Sequence, residues 1–235
     1  MTPTRTAFLR GFRHSLPFFV VLMPFGMLFG VLATEAGLTL TEVITFSLTV
    51  FAGAAQFAAL QMMQDQAPLW AILATAMAVN LRLLMYSVAL TPHLGGAPLG
   101  IRAIIAYFLV DQSFAMVMAE YTRHPAMTRS DKIAYFFGVV TPVMVMWFAA
   151  NLAGAQMGQA IPPEYALDFA IPITFLALVA PLLRKPADWV AAGLSVTGAL
   201  ALAGLPYGTG LLIAAAIAMV AGALVETIQT PQVAP

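Results

Sequence analysis

Eight apolar runs dominate the chain, at residues 15–34, 43–63, 67–90, 101–119, 133–156, 165–183, 187–204 and 207–225. Each approaches the roughly 20 apolar residues that carry an α-helix across a bilayer core. Backbone in hydrocarbon must satisfy its own N–H and C=O groups, which leaves only helices or a closed barrel. Unbroken runs, rather than alternation, select helices. With 61% hydrophobic and 9% charged residues, the chain falls far below the roughly 25% charge of a soluble domain. It has too few charges to coat a water-facing surface. The expected architecture is an all-α, polytopic transmembrane helix bundle of about eight spans. It forms one membrane-embedded domain over residues 1–235, with a short N-terminus (1–14) and a tail (226–235). The last two runs are joined by Gly204-Leu205-Pro206 and form a tight hairpin. A seven-span arrangement with one re-entrant segment is the competitor.

Basic residues favour cytoplasmic loops. With the N-terminus inside, Arg5, Arg10, Arg13, Arg123, Arg129, Lys132, Arg184 and Lys185 all fall inside. Arg102 alone falls outside, Arg82 lies within a span, and Glu35, Glu42 and Glu164 face outward. An even span count puts the C-terminus inside too. The first run is longer than the 7–15 residues of a signal-peptide core, so it reads as a span. There is no cysteine, which excludes disulfides and thiolate metal sites. The three histidines are far apart in sequence, so no metal site and no cofactor are expected. Zero net charge gives no pull toward nucleic acid.

Ionisable groups at membrane depth cost about 2.5–3.5 kcal/mol and usually face the bundle interior. Arg82 and Asp111 stand out. Segments three and four form an antiparallel hairpin through an outer connection at residues 91–100, which puts both about 12–15 Å below the outer face, at 1.5 Å per residue. The matched depths permit an ion pair, either linked to substrate or protons or only locking two helices. Arginine stays charged, whereas aspartate can carry a proton. Gln56 and Asn80 offer amides that suit a zwitterion or serve as ordinary interhelical glue. Asn80 and Arg82 are about 200° apart on a helix, so an unbroken helix cannot aim both at one point. Asp168 lies near the outer end of segment six, as a gate residue or an interfacial carboxylate. Pro24-Phe25-Gly26 sits at the centre of segment one, where proline removes a backbone donor. Segment one is therefore expected to be broken there, as in transporters that bind substrate at unwound helices, or simply kinked. Gly26/Gly30 and Gly154/Gly158 have the GxxxG spacing that brings helices close, and Gly53 lies in another small-residue patch. Pro24-Phe25-Gly26 is echoed by Pro206-Tyr207-Gly208, and Ala52–Gln56 by Ala153–Gln156, a weak sign of an internal repeat. No Walker, HExxH or GxSxG motif is present, so an enzyme is not expected.

Five blocks in order resemble a known family. They are Met23-Pro24-Phe25-Gly26, residues 51–57 (Phe51 to Phe57), Asn80-Leu81-Arg82 with Tyr86-Ser87, Asp111-Gln112-Ser113-Phe114 and Leu167-Asp168-Phe169-Ala170. The chain resembles, from about Arg10 to Leu183, the large subunit of two-component branched-chain amino-acid exporters, the AzlC-type permeases. The resemblance implies export of valine, leucine, isoleucine and sometimes methionine from bacterial cells across the inner membrane. It implies an ion gradient rather than ATP, and a small, separately encoded AzlD-like membrane subunit. Gln112 departs from the glutamate expected there, which leaves Asp111 as the sole candidate proton carrier. On this reading Pro24, Phe25, Gly26, Gly53, Gln56, Asn80 and Arg82 line the substrate site. Asp111 couples protons or pairs with Arg82, and Asp168 gates. A channel or facilitator for another small solute, and a non-transporting membrane assembly subunit, are the alternatives.

Overall fold

The computed structural model describes residues 3–158, 183, 185–205 and 209–229, and every regular element among them is helical. Four helical stretches are long and apolar enough to cross a membrane: Pro3–Glu35, Leu69–Leu94, Arg129–Gly158 and Thr209–Ile228. The chain divides into two compact units, residues 1–60 with 79–165, and residues 61–78 with 166–235.

The first unit is built on two long helical rods. One is α1 (Pro3–Ser15), a 3₁₀ turn (Leu16–Phe18) and α2 (Phe19–Glu35); the other is α8 (Arg129–Gly158). Glycines set their contact. Gly11 meets Tyr135 and Gly138, Gly26 meets Ala150, Gly30 meets Asn151 and Ala155, and Gly158 meets Val31 and Thr34. Numbers rise together on both rods, so they run parallel. The Gly26/Gly30 and Gly154/Gly158 pairs lie against each other. A Cβ on Gly26 would come within 2.8 Å of the Ala150 Cβ. In lipid such close van der Waals packing, rather than water exclusion, drives helix association.

The expected break at Pro24–Gly26 is absent: α2 is helical from Phe19 to Glu35, with Pro24 inside it. Pro24 is exposed while Gly26 and Gly30 are clamped on α8. That clamp holds the turn that proline weakens.

The breaks fall elsewhere. Segment two is two short helices, α3 (Leu40–Thr49) and α4 (Gly53–Gln64). A capping box starts α3: Thr39 Oγ1 accepts from the Glu42 N–H, and the Glu42 carboxylate accepts from the Thr39 N–H at 2.7 Å. Gln56 Nε2 donates to Ser47 Oγ at 3.0 Å. Phe29 of α2 meets Phe46 and Phe57, at ring separations of 5.7 and 5.5 Å. Residues 46 and 57 thus lie at one depth, and α4 turns back beside α3. Segment two is a re-entrant hairpin with its tip at residues 50–52.

Segment four repeats the device from the other face. After α5 (Leu69–Leu94), Arg129 donates to the Gly96 carbonyl at 2.9 Å, and Lys132 Nζ lies 3.3 Å from His93 Nδ1. The connection after α5 therefore lies where α8 begins, beside α1, whose Thr4 donates to Asp131 at 3.1 Å. From there α6 (Leu99–Tyr107) rises beside α5 to a tip at residues 108–110, and α7 (Asp111–Arg123) descends. Phe114 stacks on Tyr86 at 4.1 Å and Tyr121 meets His93 at 5.2 Å, so α7 tracks α5 downward.

Segments two and four therefore do not cross, which corrects the eight-crossing reading. Between the parallel rods only α5 crosses, and parallel rods require an odd number of crossings. The connection 91–100 sits on the basic face, not opposite it. Arg102, the apparent exception, joins Arg5, Arg10, Arg13, Arg123, Arg129 and Lys132 there. Two half-length helices and one full crossing use the same ~20 apolar residues, so hydropathy alone does not separate them. Below the tips a buried core of Ile105, Val117, Tyr121, Tyr135, Phe136 and Val139 joins α6, α7 and α8.

In the second unit, α9 (Pro186–Ala201) and α10 (Thr209–Gln229) form the expected hairpin. Gly198 faces Ala214 and Gly222 faces Ala191, so the helices are antiparallel. Lys185 Nζ and Glu226 close its open end at 2.7 Å. Pro206-Tyr207-Gly208 lies outside the described residues. The other echo pairs a hairpin tip (Ala52) with the interior of α8 (Ala153), so the two stretches occupy different settings.

Candidate functional site

The two hairpin tips meet near the middle of the first unit. Phe51 of one tip stacks on Tyr107 at 6.1 Å and meets Phe108 edge-on at 5.5 Å. The Tyr107 hydroxyl donates to the Leu48 carbonyl. That carbonyl is in the last turn of α3, where carbonyls lack helical partners. Trp147 of α8 backs the junction together with Leu22, Val143 and Phe148. Its indole lies against Gly53 and Gly26, and Phe25 bridges Trp147 and Phe57 at 5.8 and 4.7 Å. A Cβ at Gly53 would sit 2.8 Å from the indole, so only glycine lets α4 begin there.

Four helix ends converge at this depth: the C-termini of α3 and α6 and the N-termini of α4 and α7. Irregular backbone at membrane depth is tolerated only where it is buried in protein or lines a cavity. Helix N-termini present unpaired N–H groups to anions, and C-termini present carbonyls to cations. The first turn of α4 carries no acidic residue, leaving its positive end open. Asp111 occupies the first turn of α7, where the helix dipole favours a carboxylate. Ser113 Oγ shapes that start by accepting from the Val110 N–H at 2.9 Å.

Arg82 and Asp111 form the expected pair. Arg82 Nη2 lies 3.1 Å from Asp111 Oδ2, and the side chains are 35% and 43% exposed. Tyr86, one turn past Arg82, donates to Asp111 Oδ1 at 2.9 Å. Arg82 Nε is buried without a partner. The depth match read from sequence holds, but it is measured from the basic face. Asn80 does not join this pair; its Oδ1 is buried without a hydrogen-bond partner. Gln56 is fully buried and ties α4 to α3, with its Oε1 unpaired. Pro24 is exposed and lines neither tip. Asp168 lies outside the described residues. Among the described residues no group of three or more histidine, aspartate and glutamate side chains suits a metal.

Sequence reasoning missed Tyr107, Trp147 and Asn151, and gave Tyr86 no role beyond its place in a resembling block. Trp147 Nε1 and Asn151 Oδ1 are buried without partners, and Asn151 Nδ2 donates to the Trp147 carbonyl at 2.6 Å. Each orphaned group costs about 1–3 kcal/mol. Glu120 was also missed: it is 3% exposed, 2.8 Å from Arg10 and 3.7 Å from His124. Polar residues inside predicted spans were the available signal for Tyr86, Tyr107 and Asn151. Glu120 sat at a segment end, where carboxylates are common.

An all-helical membrane unit with paired re-entrant hairpins and a charged pair at their tips defines an integral membrane protein. Residues 17–161, more than half of the chain, match the AzlC protein family, and the chain belongs to it. It is 29% identical over 206 residues to the inner membrane protein YgaZ of Escherichia coli (strain K12), covering 85% of this chain and 82% of that one. An uncharacterized membrane protein of Helicobacter pylori (strain J99) is 23% identical over 206 residues, covering 86% and 88% of the two chains. Another from Archaeoglobus fulgidus is 28% identical over 181 residues, covering 75% and 76%. No solved structure matches the chain. Family membership and these relatives assign the chain a transport-related role in a membrane.

Proposed function

We propose that this chain is the large subunit of a secondary transporter that exports branched-chain amino acids, with a small membrane subunit as partner. The basic face is cytoplasmic and the membrane is the bacterial inner membrane. The observation that carries the reading is the half-exposed Arg82–Asp111 pair at a re-entrant tip. An exposed ion pair at membrane depth is too costly against lipid and belongs against a wet cavity or a partner. The open N-terminus of α4 suits the substrate carboxylate. The C-terminal carbonyls of α3, or Asp111, suit its ammonium. Phe25, Phe51 and Trp147 supply an apolar wall for the aliphatic side chain. Asp111, held by Arg82 and Tyr86, carries the coupling proton.

The test is counterflow of labelled valine, leucine, isoleucine and methionine in proteoliposomes, with and without the small subunit. Saturable, gradient-sensitive exchange that needs the partner supports the reading. Exchange indifferent to a proton gradient makes the protein a facilitator. No exchange from folded protein with its partner removes the amino-acid assignment.

A further inference from the structure

We propose that the groove between α5 and α6 is a binding site for an anionic phospholipid, with the phosphate on Arg102 and an acyl chain along the groove. The groove encloses about 330 Å³ and is lined by Ser87, Thr91, Leu94, Leu99, Arg102 and Ile105, among others, down to Leu109. From Leu99 at the basic face to Tyr107 below the tip α6 rises about 12 Å, at 1.5 Å per residue, and the groove continues to Leu109. That is about half of a ~30 Å hydrocarbon core, the depth of one leaflet.

The wall chemistry selects an amphipathic occupant. Both hydroxyls in the wall are already used: Ser87 Oγ donates to the Leu83 carbonyl at 2.9 Å, and Thr91 Oγ1 to the Ser87 carbonyl at 3.0 Å. The slot therefore presents a hydrocarbon lining to whatever enters. Arg102 is the opposite. It lies one turn inside the start of α6, at headgroup depth, and is exposed. Among the described residues no carboxylate or other acceptor partners it. Nearby cations are engaged: Arg129 on the Gly96 carbonyl, Lys132 beside His93 and over the Tyr121 ring. A free guanidinium at the mouth of a leaflet-deep apolar slot fits a phosphate carrying a lipid tail. Guanidinium–phosphate pairing is two-pronged and charge-assisted.

The experiment uses the full chain, purified in mild detergent, with bound lipids counted by native mass spectrometry. Phosphatidylglycerol and phosphatidylcholine are offered in equal amounts. Wild type is expected to retain phosphatidylglycerol preferentially, and Arg102→Gln to lose about fivefold in that preference, as one basic contact predicts. Ala103→Trp keeps the arginine but fills the slot, and is expected to lose the bound lipid. Monodispersity and helical circular dichroism establish that each variant is folded. Equal retention of both lipids by wild type overturns the proposal, as does unchanged preference in Arg102→Gln or retention in Ala103→Trp. Displacement by inorganic phosphate alone overturns it in favour of a free-anion site. Displacement by the small subunit overturns it in favour of a protein interface.

Discussion

The re-entrant reading of segment four makes a prediction that thiol chemistry can test, because the chain has no cysteine of its own. Gly100 has nothing within 4 Å of where a Cβ would lie, so Gly100→Cys introduces a probe without strain. Ser130→Cys marks the start of α8, and Thr41→Cys the start of α3; both positions are exposed. Arg129 reaches the Gly96 carbonyl at 2.9 Å, so the probes at 100 and 130 share a face. The probe at 41 lies beyond the far end of α2, whose 17 residues alone rise about 25 Å. A membrane-impermeant maleimide applied to right-side-out vesicles is expected to label Thr41→Cys and spare the other two. Inverted vesicles should reverse the pattern. A short bismaleimide should also join Gly96→Cys to Arg129→Cys within one chain. If segments two and four crossed fully, positions 100 and 130 would be separated by a hydrocarbon core of about 30 Å. Gly100→Cys that labels with Thr41→Cys, or cysteines at 96 and 129 that never join, would refute the hairpin.

Three further outcomes follow from the contacts. Asp111→Asn should abolish proton-driven transport while leaving folded protein in the membrane, and undiminished driven export would exclude the aspartate as carrier. Arg10→Gln strands the buried Glu120 carboxylate and should cost about 3 kcal/mol, read as a lower unfolding temperature in detergent; adding Glu120→Gln should recover much of that loss, and no recovery would sink the pairing argument. Gly154→Leu drives a side chain into the Met27 backbone and should destabilise by about 2 kcal/mol or more; unchanged thermal stability would mean the rods are not in contact there.

Much of this was legible in the sequence because lipid imposes simple rules. Long apolar runs had to be helices, and the two GxxxG pairs marked the faces that meet. The shared depth of Arg82 and Asp111 anticipated their ion pair. What sequence reasoning missed has one physical root. A hairpin of two short helices and a single crossing bury the same number of apolar residues. Hydropathy therefore cannot say whether the chain goes through or comes back. The depth of Arg82 and Asp111 was consequently counted from the wrong face, and Arg102 looked like a misplaced charge. Pro24 misled for a different reason: its cost to the helix is local, whereas the clamp of Gly26 and Gly30 on α8 is tertiary. A carboxylate in mid-segment, opening α7, was the sequence trace of one tip.

The meeting of the tips has an electrical consequence. A membrane potential does work of about 2.3 kcal/mol per 100 mV on a unit charge carried fully across. A charge bound at the tips, reached from one face, has passed through only about half of that drop. Loading and unloading by a single charge at Asp111 would therefore each sense roughly 1 kcal/mol per 100 mV, so voltage would weight both half-steps of the cycle about equally.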